Sequence, residues 1–321
     1  MSSSGRRLRA SIIGAVLCAA TAVSAFPIKP IRIIQPYAPG GGIETQARAL
    51  AQYMSDSWGQ PVVIDGRPGA GSALGTQIVA KSTPDGYTLL FTNGAFATVP
   101  ALSNTPLFDP IRDFASVVHV GTTPSILVAH YSLPPTLKEL LAHVKANPGK
   151  LNFGSSGTGA ASHLAMEYLV SMTGINIVHV PYRGSTPAVV ALLADEIQLA
   201  MFSASSVIAH IRSGKIRALG VTTTKRSETL PGVPPIAEIG VPGYEVVQWS
   251  GVLAPARTPK DVVAQLNQKI NEALKAPDVK ERLSKIDVEP AGGTSEQFAA
   301  FVRAEVAKWG KVIKEAGIKA E

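Results

Sequence analysis

Apolar residues along the chain alternate between short runs typical of strands and longer stretches with helical spacing. The first unit places an apolar run at 31–37 before three glycines and a helix expected near 43–58. A second unit has a strand at 61–65, a glycine turn and a helix that ends by residue 82. A turn and a third strand follow at 83–93. This alternation predicts a parallel sheet with helices on both faces.

A second series of strand-loop-helix units begins after a helix expected at 136–150. Before that helix, residues 115–130 read as two apolar β-type runs separated by a Gly-Thr-Thr-Pro break. The remaining expected elements are strand-helix units at 151–174 and 175–196, strands at 197–203, 215–223 and 249–256, and helices at 259–276, 277–286 and 294–317. Two such series predict an α/β protein with two lobes, each a β-sheet flanked by helices, and a cleft between the lobes. Since 45% of residues are hydrophobic and only 17% are charged, the chain can bury a large core.

Residues 1–25 have the pattern of a secretory signal peptide, with a basic start, an apolar stretch at 10–23 and small residues before an expected cleavage after Ala25. The apolar stretch is short for a stable membrane span, and an uncleaved anchor is the alternative. Cleavage removes three arginines and lowers the formal net charge from +7 to +4, so we expect no nucleic-acid partner. The single cysteine, Cys18, lies inside this segment. An exported chain without disulfides is typical of a bacterial periplasm, and we expect that location.

Two glycine-rich loops precede expected helices and are the main candidates for ligand binding. The first contains Gly41 and Gly42, and the second spans 154–162 with several Ser and Thr hydroxyls. A helix N-terminus has unpaired N–H groups and a partial positive charge, and glycine permits positive φ and close approach of a ligand. Such a loop can therefore bind a carboxylate or phosphate without a Lys or Arg side chain. The alternative for each loop is a plain tight turn between a strand and a helix.

Other chemical motifs are weaker. The segment 66–75 comes near a dinucleotide fingerprint, but its glycine spacing differs and the required acidic residue is missing. His163 and Glu167 are four residues apart and could begin a metal site, but a histidine that orients the loop or packs the helix is favoured. Trp249 and Trp309, like the third tryptophan, are expected to pack rather than to contact a ligand. We therefore expect no enzymatic activity, no cofactor and no metal.

The chain resembles the Bug-type, or TctC-like, extracytoplasmic receptors of tripartite tricarboxylate transporters over essentially the whole mature sequence. The resemblance rests on "PIRIIQPYAPGGG", "GQPVVIDGRPGAG", "TPDGYTLLFTN", "NPGKLNFGSSGTGAASHLAMEYL", "VHVPYRGSTPAV", "GKIRALGVTTTKRS" and "GVPGYEVVQWSGVLAPARTP", in this order. It implies a type II periplasmic-binding-protein fold, which we divide into a first lobe at 26–125 and 249–321 and a second at 126–248. It also implies a small carboxylate ligand: a dicarboxylate, tricarboxylate, aromatic acid or amino acid.

In that family, the loops that match 37–44 and 154–163 close on a carboxylate, partly through ordered waters. The resemblance therefore implies these ligand-binding residues: Tyr37, Ala38, Gly41, Gly42, Ile43, Thr92, Asn93, Ser155, Thr158, Gly159, Ala160, Ser162, His163 and Ser203. The implied partners are the membrane permease subunits of the transporter, and the receptor is expected to be a monomer. A sensor subunit that signals to a kinase is an alternative, and a carboxylate-ester hydrolase is a weaker one.

The sequence departs from the family pattern at two positions near the implied site. Ile43 and Glu44 stand where members often carry Thr-Asp, and Ser203 and Ala204 stand where they often carry Asp-Asn. Loss of the second Asp removes a negative charge from the expected pocket. An amino-acid ligand, with its ammonium group, is therefore less favoured here than a simple carboxylate.

Overall fold

The computed structural model describes residues 26–37, 42–182, 184–227 and 230–318. Among these residues the strands are β1 (Ile31–Gln35), β2 (Val62–Gly66), β3 (Thr88–Asn93), β4 (Phe114–Ala129), β5 (Asn152–Ser155), β6 (Val178–Pro181), β7 (Leu199–Ser203), β8 (Arg217–Val221), β9 (Val247–Pro255) and β10 (Glu289–Pro290). The helices are α1 (Gly42–Trp58), α2 (Ala73–Ala80), α3 (Ala95–Leu102), α4 (Leu137–Ala146), α5 (Ala161–Thr173), α6 (Ser185–Leu193), α7 (Ala204–Arg212), α8 (Lys260–Lys275), α9 (Pro277–Ser284) and α10 (Ser295–Glu315).

The first lobe is built on a sheet with the order β2-β1-β3-β9-β4. β1 lies parallel to β2 and β3, as the β/α alternation predicts, but β9 lies antiparallel between β3 and β4. The parallel sheet predicted from the first three units is confirmed for β1–β3, and β9 joins it as an antiparallel strand, a direction that was not predicted. The reason is that β9 returns from the second lobe and enters the first sheet from the opposite direction.

The second lobe continues from the same long strand. β4 pairs with β9 up to Pro124, and from Ser125 onward it pairs with β7 and β8. β5 then lies parallel to β6 and β7. The predicted break at Gly-Thr-Thr-Pro is wrong, because Gly121 and Pro124 keep their pairing partners on β9 and the strand runs on into the second sheet. The predicted boundaries at 125/126 and 248/249 stay predictions.

Helices cover both faces of each sheet. α1, α8 and α9 enclose one core of the first lobe, which contains Ile31, Leu50 and Leu266. α6 and α7 cover one face of the second sheet around Ile126. The other faces of both sheets share a single core that runs from Ile34 to α4, α5 and α10.

α10 packs on both lobes. Trp309 of α10 packs against Tyr168 on α5 of the second lobe, with 6.1 Å between the ring centroids. Phe298, on the same helix, packs edge-to-face against Trp249 of β9 at 5.7 Å. The helix begins with a capping box, in which Thr294 and Gln297 satisfy each other's backbone N–H. The C-terminal helices thus lie close to their predicted limits, and α10 also reaches the second lobe.

Within the described residues, each helix is either too short or too polar to cross a membrane.

Candidate ligand-binding cleft

A cavity of about 1160 Å³ lies between the two lobes. Its floor is formed where β4 and β9 pass between the sheets, at Gly121, Thr123 and the 247–250 segment of β9. The floor is tied together by hydrogen bonds: Ser250 Oγ donates to Gln46 Oε1 at 2.5 Å, and Gln248 Nε2 donates to Ser125 Oγ at 2.7 Å. The walls are the ends of strands and the loops that follow them, where open α/β sheets bind ligands.

Four helices begin at this cavity. Gly42 of α1, Ala95 of α3, Ala161 of α5 and Ser203 before α7 all line it. Each helix N-terminus contributes about half a positive charge. The helix ends therefore bring partial positive charge to a cavity whose described lining has no cationic side chain.

The charged side chain in that described lining is Glu305 of α10. It is 4% exposed, and Trp309 Nε1 donates to its Oε2 at 2.9 Å. Lys308 forms an ion pair with its other oxygen. Both carboxylate oxygens of Glu305 therefore already have partners within the protein.

The loop of the second lobe, residues 155–163, is shaped by its own side chains. The Ser156 N–H donates to Ser162 Oγ at 2.9 Å, and the Gly159 N–H donates to His163 Nδ1 at 3.0 Å. Ser155 Oγ donates to the Gly157 carbonyl and accepts from the Gly157 N–H. The buried hydroxyls and His163 thus position the backbone of the loop rather than face the cavity.

Two histidines support this loop from below. The rings of His163 and His179 stack with 3.7 Å between centroids, and His179 Nε2 shares a 2.6 Å hydrogen bond with Ser155 Oγ. His163 Nδ1 accepts a hydrogen bond from the Gly159 N–H, so the ring proton is on Nε2, which lies 3.4 Å from Glu167 Oε1. Burial, with His163 nearby, lowers the pKa of His179 to about 4, so this ring is neutral at pH 7. The geometry matches the loop-orienting role favoured from the sequence.

The same loop approaches the first lobe closely. Gly159 has a φ of +75°, and a Cβ added there would lie 2.8 Å from Leu102 Cδ1 of α3. The backbone conformation therefore favours glycine at this position, and any larger residue would also have to displace the Leu102 side chain.

The wall of the first lobe is held by Tyr37. Its hydroxyl donates to Asn93 Oδ1 at 2.6 Å, and Thr92 Oγ1 lies 2.9 Å away and donates to it. Asn93 Oδ1 also accepts from the Ala95 N–H at the start of α3. Burial raises the pKa of Tyr37. Tyr37 and Thr92 therefore hold Asn93 at the cavity surface.

Gly42 does not have the strained backbone expected for a glycine cradle. It is the first residue of α1, its φ is not positive, and a Cβ placed on it meets no described atom within 4 Å. The helix has already begun at Gly42, and its role as a ligand contact stays a prediction. Gly42 therefore borders the cavity, and no described residue crowds a side chain placed there.

The residues implied by the family resemblance fall into three groups. Those that line the cavity are Gly42, Ile43, Asn93, Thr158, Gly159, Ala160 and Ser203. Those that lie behind the lining and support it are Tyr37, Thr92, Ser155, Ser162 and His163. Ala38 and Gly41 lie outside the described residues. For all three groups, the role as ligand contacts stays a prediction.

Several lining residues were missed from the sequence. Trp249 and Trp309 were expected only to pack, yet both line the cavity. Gln46 also lines it, one helical turn beyond Gly42. This spacing was a usable signal, since residues four apart share a helix face. Nothing in the local sequence marks Trp249, whose position depends on β9 crossing the cleft floor.

Comparison with known proteins places this architecture in a family. A family model described as "Tripartite tricarboxylate transporter family receptor" matches residues 46–318. Protein BugT of Bordetella pertussis is 37% identical over 311 residues, which are 96% of this chain and 95% of BugT.

Two solved structures show the same fold. Rpa4515 of R. palustris with adipate has a TM-score of 0.76 and 34% identity, with 92% of this chain and 99% of that chain covered. MatC of Rhodopseudomonas palustris with bound malate has a TM-score of 0.73 and 30% identity, with 90% of this chain and all (100%) of that chain covered. The chain belongs to the tripartite tricarboxylate transporter receptor family, the periplasmic solute-binding proteins that include the Bug proteins.

Proposed function

We propose that this protein captures a small organic carboxylate in the interlobe cleft and delivers it to the permease subunits of a tripartite tricarboxylate transporter. The observation that carries the proposal is the convergence of four helix N-termini on a cavity whose described lining has no Lys or Arg. An anion is the ligand that such a site favours. The relatives with adipate and with malate support the same class of ligand.

The walls between the helix ends favour a ligand with an apolar middle. Val99, Leu102 and Phe108 line the first-lobe side, and Leu164 lines the second-lobe side. Pockets for small molecules typically combine such apolar walls with a few polar groups that fix orientation. A flexible dicarboxylate or an aromatic acid fits this pattern, with its carboxylate at a helix N-terminus.

We further propose that the two lobes close by bending where β4 and the chain before β9 cross between them, at 124–125 and 246–247. Closure on the ligand follows from a higher affinity of the closed state. We also propose that the protein is exported and cleaved after Ala25. It then acts as a monomer, and its closed form binds the permease. Residues 1–25 lie outside the described residues.

A thermal-shift screen followed by calorimetry tests the ligand class. The panel contains adipate, malate, benzoate and glutamate, and adipamide serves as the matched control because it has the length of adipate without its charges. A carboxylate at 100 times its Kd raises the free energy of unfolding by about 2.7 kcal/mol. Equal stabilisation by adipamide and adipate would contradict an anion site.

Uptake measurements separate delivery from signalling. A strain that lacks this chain should lose uptake of the bound carboxylate and regain it when the chain is restored. Unchanged uptake, together with lost transcriptional response to the same carboxylate, would favour the sensor alternative.

A further inference from the structure

One buried hydrogen-bond donor in the cleft has no partner in the described structure. Among the described residues, five buried side-chain atoms lack a hydrogen bond: Gln35 Nε2, Ser72 Oγ, Thr76 Oγ1, His119 Nε2 and Trp249 Nε1. Of these, only Trp249 belongs to a residue that lines the cavity. A buried donor without an acceptor is unfavourable and rare, so it calls for an explanation.

The indole of Trp249 is fixed in place by aromatic neighbours. It packs edge-to-face against Phe298 and Phe301 of α10, with 5.7 Å between ring centroids in each case. Only 2% of the residue is exposed. The ring therefore cannot turn its N–H toward solvent without disturbing this packing.

The N–H lies beside the N-terminus of α3. Trp249 Nε1 is 3.7 Å from the position that a Cβ on Gly94 would occupy, and Gly94 is the N-cap of α3 and also lines the cavity. Because Gly94 has no side chain, no Cβ stands between the buried indole N–H and the start of α3. The partial positive charge of the α3 N-terminus favours a negatively charged acceptor in that space.

The second tryptophan of the cavity shows the contrast. Trp309 Nε1 donates to Glu305 Oε2 at 2.9 Å, so its hydrogen-bonding capacity is already used within the protein. Both indoles line the same cavity, but within the described structure the buried N–H of Trp249 has no hydrogen-bond partner.

We propose that the indole N–H of Trp249 donates a hydrogen bond to a carboxylate oxygen of the bound ligand, next to Gly94 on the first-lobe wall. This inference rests on the proposed function and assigns the residue that recognises one end of the ligand. Hydrogen bonds to charged groups are among the stronger ones in proteins. Recognition then depends on an acceptor oxygen at this point, and a ligand that presents a methyl group there leaves the donor unpaired.

The test uses the full mature chain with adipate as the probe, measured by calorimetry. Trp249→Phe keeps an aromatic ring against Phe298 and removes the donor, and we expect at least tenfold weaker binding of adipate. Trp58→Phe is the matched control, because Trp58 packs against Phe26 away from the cavity and its loss should leave the affinity for adipate within twofold.

A second measurement is independent of whether the variant folds well. In the unsubstituted protein labelled with ¹⁵N at the indoles, adipate should move the Trp249 N–H resonance downfield and slow its exchange with solvent, while the Trp58 resonance stays in place. An unmoved Trp249 resonance, or full affinity in Trp249→Phe, overturns the inference while adipate binding itself upholds the proposed function. If the unsubstituted chain does not bind adipate, the same two measurements use the carboxylate of the screen that binds best. If the chain binds none of the carboxylates, the proposed function fails, and this inference with it.

Discussion

The first-lobe wall of the cleft keeps one buried donor, Trp249 Nε1, without a partner among the described residues, whereas the second-lobe wall uses its buried polar groups on itself. In the second wall, Ser155, Ser162 and His163 hold the backbone of the loop. In the first wall, Tyr37 fixes Asn93 and the aromatic residues of α10 fix the indole.

This difference indicates how the two walls would recognise a ligand. The second wall offers backbone N–H groups at the start of α5, which suit any carboxylate of the right size. The first wall adds a side-chain donor in a fixed position among apolar groups, which discriminates between ligands by their shape and oxygen positions. Both lobes place two helix N-termini at the cavity, and the proposed donor of Trp249 would add selectivity on the first lobe.

The largest expected effect comes from breaking the second wall at Gly159. Valine at this position must adopt a strained positive φ and displace Leu102, which shifts the loop that lines the cavity. We therefore expect Gly159→Val to weaken carboxylate binding about a hundredfold, or 2.7 kcal/mol. Calorimetry with the best carboxylate of the screen measures it.

Gly174→Val is its control, since Gly174 has a φ of +65° at the end of α5 with no described atom within 4 Å of an added Cβ. This variant should lose stability through strain but keep its affinity. Equal affinity losses in both variants would mean that strain, not the cleft, explains the effect.

A smaller loss is expected on the first wall at Gly42. Gly42→Val places its side chain in open space on the cavity side of α1, so it should block the ligand without straining the backbone. We expect about tenfold weaker binding, or 1.4 kcal/mol, with an unchanged melting temperature. Gly232→Val, at a position where no described atom lies within 4 Å and which is not among the cavity-lining residues, should change neither the affinity nor the melting temperature. Full affinity in Gly42→Val would show that this glycine serves only the turn.

A negative charge introduced at position 203 tests whether a charged group of the ligand lies near the start of α7. Ser203 is the N-cap of α7 and lines the cavity, and Asp is a good N-cap, so Ser203→Asp should fold. Repulsion of about 1 kcal/mol between charges near 4 Å in water-like surroundings corresponds to about fivefold weaker carboxylate binding. Ser203→Asn, with the same shape and no charge, should bind nearly as well as Ser203. If the Ser203→Asp and Ser203→Asn variants bind the carboxylate equally well, the charge of the ligand does not lie near this position.

The smallest expected effect is the response of the second wall to acid. The pKa of His179 is about 4 in the folded protein and near 6.5 when unfolded, so the unfolded state binds more protons between these values. The stability that His179 contributes is therefore full above pH 6.5 and is lost as the pH falls toward 4.

We expect the melting temperature to fall over this range, and His179→Gln to flatten the dependence in part. Buried His119, whose pKa burial also lowers to about 4, adds a separate contribution of the same sign. Exposed His143→Gln should leave the slope unchanged, and an equal slope in His179→Gln would contradict the assignment.

The sequence predicted the local structure well and the long-range pairing poorly. Hydrophobic periodicity and glycine positions located β1, α1 and the strand-loop-helix unit that ends in α5, because these features depend on neighbouring residues. The short helices α3 and α7 were not predicted, since each begins directly after a strand and α3 contains Pro100.

The continuity of β4 and the role of Trp249 depend on a partner strand far along the chain. A Gly-Thr-Thr-Pro segment reads as a break unless β9 is known to pair with it. In the same way, the sequence predicts only a packing role for Trp249, and the structure is needed to show that its indole N–H has no acceptor. Local patterns contain neither kind of information.

The position of β9 also has a consequence for how the chain folds. Because β9 lies between β3 and β4, the first sheet cannot be completed until residues 247–255 have been synthesised, more than 150 residues after β3. Pairings between segments so distant in sequence form slowly, since a long loop must close before they contribute any stability. The strands β1, β2 and β3 therefore gain their antiparallel neighbour β9 only late in synthesis, and we expect the first sheet to be completed slowly.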